Sequence, residues 1–286
     1  MAPRPGRRPG PRRSPSQGAR PTSSRALALE ALRRIDEGAY ANLVLPALLG
    51  RSSLEERDRA FTTDLVYGTT RMRRACDWLV ERFLFRDVDP DLRAALRLGA
   101  YQLVFLGTPP HAAVGETVDL VAGPGRGLVN AVLRKVAQAG FPQQWPDEAT
   151  RLSYPDWILE RLTADLGRAD AVAALEVMNQ PPPVTERPDG YVQDESSQEV
   201  AALVGAASGD RVVDLCAAPG GKATLLAGPP GGPGPALVAA GDLNPSRAAT
   251  MAGNVRRLGL TATVAPFAGD GRRPPLRPEA FDHVLV

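Results

Sequence analysis

Arg211-Val-Val-Asp-Leu-Cys-Ala-Ala-Pro-Gly-Gly-Lys222 is the stretch on which the reading of this chain turns. Val212, Val213 and Leu215 predict a short buried strand over 211–215, introduced by a turn at Gly209-Asp210. Pro219-Gly220-Gly221 ends the strand, and a helical run over about 221–227 follows. A strand, a small-residue turn and a helix start together make a ligand cradle. Glycine lets the backbone approach a ligand closely, and the first helical N–H groups lack intrahelical acceptors. A P-loop would need Gly at position 216 and Ser or Thr at 223, where the chain has Cys216 and Ala223. A Gly-x-Gly-x-x-Gly dinucleotide fingerprint does not occur in the stretch either.

A second strand is expected over about 236–241, ending at Asp242. An acid at the tip of a second strand is placed to accept hydrogen bonds from ribose hydroxyls. That leaves S-adenosylmethionine (SAM) as a third ligand, and a structural strand–turn–helix without any ligand as the plain alternative. Asp214-Leu-Cys-Ala-Ala-Pro-Gly-Gly-Lys222 resembles the SAM-binding motif of the Sun/Nop family of RNA cytosine-5 methyltransferases, and Val192-Gln-Asp-Glu-Ser-Ser-Gln198 resembles the segment preceding it in that family. The resemblance implies that Cys216, Ala217, Ala218, Pro219, Gly220, Gly221 and Lys222 wrap the methionine end of SAM, with Asp242 on the ribose. Asp270, in the turn Gly269-Asp270-Gly271, is implied near the adenine amine.

The composition fits two domains with a sizeable core: 286 residues, 43% hydrophobic. No apolar run approaches the ~20 residues of a membrane span, and no signal peptide is visible, so a cytoplasmic protein without a membrane partner is expected. Two cysteines far apart, Cys76 and Cys216, and two histidines, His111 and His283, suggest neither a disulfide framework nor a metal site. The net charge of +2 conceals an asymmetry, because residues 1–25 carry seven arginines and no acid. Residues 1–23, rich in Pro, Gly and Ser, read as a disordered basic tail that is either a solvated arm or a non-specific phosphate contact.

Residues 24–140 read as all-helical. Ser24 is the expected cap of a first helix to about Glu37, and Ser53-Leu-Glu-Glu56 reads as a capping box for the next. Further helices are expected around Met72 to Phe83, from Pro90 to about Leu106, from about His111 to Val121, and from about Gly127 to Gln138. Thr108-Pro-Pro-His-Ala-Ala-Val-Gly-Glu-Thr-Val118 and Gly127-Leu-Val-Asn-Ala-Val-Leu-Arg134 resemble the NusB-like domain that bacterial members of the family carry, which implies an RNA-binding helical module. By sequence alone Arg71, Arg73, Arg74, Arg134 and Lys135 fit a solvated face as well as phosphate contacts, and Cys76 reads as core. Residues 141–190 read as a helical linker segment, with 141–150 irregular. An Arg-x-Asn element that the family carries near Pro183 has no counterpart here.

Residues 191–286 read as part of an α/β Rossmann-like methyltransferase domain. A helix over 196–206 precedes strand one, a glycine- and proline-rich connection spans 228–235, and a helix from Asn244 to about Leu258 follows strand two. Strands three and four are expected over about 261–265 and 281–286. The whole is thus a multidomain chain, an all-α NusB-like domain followed by about four strands of an α/β sheet. Methylation at carbon 5 of cytosine needs a thiolate that adds to carbon 6. The resemblance places that cysteine in Pro-Cys or Thr-Cys motifs beyond strand four. This sequence holds neither, and Cys216 belongs to the cofactor motif. The expectation is therefore a C-terminally truncated, monomeric form of a SAM-dependent small-subunit ribosomal RNA methyltransferase, inactive as it stands. The alternative is a non-catalytic RNA-binding protein of antitermination type built on the helical half.

Overall fold

A computed structural model describes residues 23–181 and 183–286; the basic tail expected over 1–23 lies outside them but for Ser23. The chain divides into two compact units, Met1–Gln180 and Pro181–Val286. The division falls inside the segment expected as a linker.

In the first unit, α1 (Ser24–Asp36) is capped by Ser23, whose hydroxyl accepts from the Ala26 N–H at 3.2 Å. The expected cap, Ser24, instead donates to the Asp58 carbonyl at 3.2 Å. α2 (Ala41–Gly50) forms despite Pro46, because it buries Leu45, Leu48 and Leu49. α3 (Glu56–Arg71) starts after Glu55, whose side chain makes no cap bond, so the expected box at Ser53 does not form. Ser53 lies two residues ahead of the true cap position, out of register with the N3 amide. α4 (Arg73–Glu81) and α5 (Pro90–Val104) follow, the latter capped by Asp89 with Pro90 in its first turn. α6 (Pro110–Asp119) and α7 (Gly125–Ala139) complete the helical core.

α5 is the centre: every residue from Ala94 to Gln102 is buried, and α1, α3, α4, α6 and α7 all pack on it. The α5–α7 crossing needs Gly99, where a Cβ would lie 2.4 Å from Leu133. Arg97 is buried on α5 but paired, its guanidinium 2.7 Å from Asp77 and 2.8 Å from Asp36. Cys76 is fully buried, and burial pushes its thiol far up. α8 (Glu148–Leu152) falls partly inside the stretch expected to be irregular. With α9 (Asp156–Leu166) and α10 (Arg168–Met178) it packs a small cluster around Leu152, Leu159 and Leu175.

The second unit begins with an antiparallel bridge between Glu186 and Val192, then α11 (Glu195–Leu203). β1 (Arg211–Asp214), α12 (Gly221–Leu226), β2 (Leu237–Asp242), α13 (Pro245–Arg257), β3 (Val264–Ala268) and β4 (His283–Leu285) follow. The four strands form one parallel sheet in the order β3-β2-β1-β4. Val212, Val238 and Val264 stand in register across it and lead a core completed by Ala223, Met251 and Val255. β3 starts three residues later than expected. Gly259, at φ +71°, ends α13, and Thr263 and Val264 both donate to the Leu260 carbonyl, so 260–263 turn before the strand starts.

Candidate functional site

The site lies at the carboxyl ends of β1 and β2, where a parallel sheet of this kind leaves a crevice for ligands. β1 ends at Asp214, and the chain then turns through Gly220 into α12. Two bonds fix the turn: the Ala217 N–H donates to the Gly241 carbonyl at 2.8 Å, and the Gly220 N–H to the Ala217 carbonyl at 2.7 Å. Gly220 holds φ +105°, and a Cβ there would sit 3.0 Å from Met251, so conformation and space both call for glycine. Among the described residues, the N–H groups of Ala218, Gly221 and Lys222 have no intramolecular acceptor.

Side chains from two other elements clamp the turn. From α13, Arg247 donates to the Ala218 carbonyl at 2.9 Å and Asn254 to the Pro219 carbonyl at 2.9 Å. From the bridge preceding α11, the buried Arg187 donates to the Gly221 carbonyl at 2.9 Å, to Thr224 at 3.3 Å and to Gln193 Oε1 at 2.9 Å. Asp189, paired with the same arginine, is held below the usual carboxylate range by that bond. The block 192–198 is thus largely structural. Gln193 braces Arg187, Asp194 caps α11, and Gln198 donates to the Gln193 carbonyl at 3.0 Å.

Two acids are buried against the turn. Asp242, at the end of β2, accepts from the Asn244 N–H at 2.9 Å and stands 3.5 Å from Arg247. Asp214, at the end of β1, is 1% exposed; its Oδ1 accepts from the Cys216 N–H at 3.1 Å, and its Oδ2 has no partner. Burial pushes the Asp214 carboxyl up, the charge of Asp242 adds to that, and the Cys216 N–H and the Lys222 charge oppose it. The loop after β3 folds over both ends. The Gly269 N–H donates to the Asp242 carbonyl at 3.0 Å, and a Cβ on Gly271 would lie 3.4 Å from Leu215. Asp270 therefore joins the same edge, but Arg272 grips its carboxylate, from 2.8 Å, and holds its pKa down.

The structure thus brings residues 216–222, Asp242 and the 269–271 loop to one edge, with Cys216 exposed on the turn. Sequence reasoning gave Asp214 no role beyond opening the motif and passed over Arg187, Arg247 and Asn254. Only Asp214 carried a local signal, since an acid at a strand's carboxyl end was the criterion already applied to Asp242. The turn carries free N–H groups, and Asp214 behind it holds a buried carboxylate oxygen without a partner. That donor set fits a ligand with both an acceptor end and a cationic end, and it opposes a polyphosphate. A groove of about 590 Å³ between α11 and α12, lined by Glu195, Gln198 and Leu225 among others, shares no residue with the turn.

A helical unit joined to a parallel sheet with a glycine turn after β1 and an acid at the tip of β2 defines a two-domain protein of the Rossmann-like methyltransferase class. The chain matches the NusB family over residues 22–138 and the family described as 16S rRNA methyltransferase RsmB/F over residues 201–286. It is 37% identical to ribosomal RNA small subunit methyltransferase B of Thermus thermophilus, over 82% of this chain and 64% of that one. It is 35% identical to the Mycobacterium tuberculosis methyltransferase MT1451, over 97% of this chain and 73% of that protein. The Citrobacter koseri small subunit methyltransferase B is 28% identical, over 92% of this chain and 73% of its own length. The chain belongs to the RsmB/F family of ribosomal RNA methyltransferases, with a NusB domain ahead of the methyltransferase domain. It spans between 64% and 73% of the length of these relatives. The crystal structure of PH0851 shares the fold, with a TM-score of 0.61 at 18% identity, covering 89% of this chain and 71% of that one.

Proposed function

We propose that the second unit binds SAM and that the chain serves the methylation of cytosine carbon 5 in small-subunit ribosomal RNA, in the cytoplasm and as a monomer. The observation that carries the cofactor reading is the pair of buried acids, Asp214 with an unpartnered oxygen and Asp242 at the next strand end. They favour a cationic ligand over a phosphate-bearing one. SAM supplies a methyl group activated on a cationic sulfur. The unpaired N–H groups at Ala218, Gly221 and Lys222 would hold its carboxylate. Asp242 would accept from the ribose hydroxyls, and Asp270, once Arg272 yields, from the adenine amine.

RNA would be gathered by the NusB-like helical unit, and the basic residues ahead of it add charge of the right sign. Neither Pro-Cys nor Thr-Cys occurs in residues 1–286. Cys216 donates its backbone N–H to Asp214 within the cofactor turn, and we read it as part of that turn. A polypeptide of residues 1–286 is therefore expected to bind SAM without transferring its methyl group.

Calorimetry of that polypeptide with SAM, MgATP and NAD tests the cofactor reading. Binding of SAM alone supports it. Binding of ATP or NAD with SAM inert would refute it.

A further inference from the structure

Between α4 and α5 the first unit carries a surface on which aromatic rings and uncompensated cations alternate. Phe85 stands 98% exposed there, a ring held in water with no apolar neighbour covering it. The Lys135 ammonium, from α7, sits 5.8 Å from the Phe85 ring centre and 5.9 Å from that of Phe83. Arg82 lies over Phe83 at 5.2 Å and over Trp78 at 4.4 Å.

The acids of this connection have other partners, Asp89 accepting from the Asp91 N–H at 2.9 Å where α5 starts. Arg93 takes both Glu81 at 2.8 Å and Asp87 at 2.5 Å. Among the described residues no carboxylate pairs with Arg82, Arg86 or Lys135. Three cations of this stretch thus lack a carboxylate partner, and one of them, Lys135, faces the exposed ring.

A ring this exposed leaves its face free for a partner, and the groups beside it indicate which partner fits. Cations without partners call for a polyanion. A bare ring among them calls for a flat π-face brought by that polyanion, which is an unpaired nucleobase. Duplex RNA stacks its own bases and offers none. We infer that Phe85, with Lys135 against its ring and the exposed Arg82 and Arg86 on the same stretch of chain, is a stacking platform for an unpaired base of single-stranded RNA. The inference rests on the RNA-binding reading above and adds the place and the strandedness.

Anisotropy titrations of the full chain with a labelled single-stranded oligoribonucleotide and its matched duplex, across a salt series, test this. Because Phe85 is outside the core, Phe85→Ala should leave the melting temperature unchanged. It should weaken single-strand binding about 5- to 150-fold, the effect of one base–aromatic stack, and leave duplex binding as it was. Phe85→Trp should restore binding, and Lys135→Gln should lower the salt slope by about one phosphate's share. Unchanged single-strand binding in Phe85→Ala, or an equal loss on duplex, overturns the platform while leaving RNA binding intact. Absence of any RNA binding by the unsubstituted chain overturns the RNA reading as well. Polyglutamate or phosphatidylglycerol vesicles captured in a Phe85-dependent manner, with RNA binding unaltered by Phe85→Ala, would assign the patch to a protein or a membrane surface instead.

Discussion

Asp214→Asn should separate ligand binding from stability. The carboxylate is 1% exposed, accepts one bond at 3.1 Å from the Cys216 N–H and leaves Oδ2 unpartnered. Asparagine keeps an acceptor for Cys216 and removes the buried charge. An unsatisfied buried group costs about 1–3 kcal/mol, more when charged, so exchanging a charged orphan for a neutral one should stabilise the unit by about 1 kcal/mol. That corresponds to a rise of about 4–8 °C for a domain near 100 residues. The pH dependence has a definite sign. The folded carboxyl sits above its ordinary value, chiefly through burial, so between about pH 4 and the raised pKa the folded state holds more protons than the unfolded one. Stability of the unsubstituted chain therefore falls as pH rises through that window. The advantage of Asp214→Asn is absent below it and complete above it. SAM, conversely, should bind the variant about 10- to 150-fold more weakly, through loss of a charge-assisted contact worth about 1.5–3 kcal/mol. Thermal melts between pH 3.5 and 8, with calorimetry at pH 7, read both effects. A variant that melts lower at pH 7 and binds SAM as before would refute the reasoning.

Asp242→Ala should weaken SAM binding about 10- to 150-fold by calorimetry, and it also frees Arg247, now 3.5 Å away. Gly241→Ala would set a Cβ 2.5 Å from the Phe267 ring and should cost about 1–3 kcal/mol in denaturant titrations, partly recovered by Phe267→Leu. In the helical unit, Arg97→Leu removes the guanidinium shared by Asp36 and Asp77, which keep Arg73 at 3.4 Å and Arg93 at 3.5 Å, and should cost about 1–3 kcal/mol, seen as a lower urea midpoint. Residues 1–286 incubated with labelled SAM and unmodified small-subunit RNA should transfer no methyl; turnover lost on Cys216→Ala would make Cys216 the nucleophile after all.

The elements legible in the sequence were those written locally. An apolar triplet, a Pro-Gly-Gly break and a strand ending in Asp242 are contiguous patterns, and the strand–turn–helix they predict is present. Where local signals competed with packing, packing decided. No helix was expected over residues 41–50, yet three buried leucines hold one together around Pro46. Ser53 and Glu56 spelled a capping box, but the helix begins too late to use it. The clamps on the turn were beyond local reading, because Asn254 meets Pro219 from 35 residues away and Arg187 meets Thr224 from 37. Nothing in the vicinity of an arginine in Glu-Arg-Pro-Asp announces that it will be buried beneath a glycine turn. Asp214 was visible as the first residue of the cofactor motif but carried no role, since its significance lies in the oxygen left without a partner.

Ultraviolet crosslinking of methyl-labelled SAM to the purified chain, followed by tryptic mapping, puts the central claim to the most direct test. The cradle predicts label on the peptides covering residues 212–222 and 223–247, which hold the turn and Asp242, and its loss when unlabelled S-adenosylhomocysteine is in excess. Label confined to the helical unit, or label that the competitor fails to displace, would contradict the assignment of this edge of the sheet as the cofactor site.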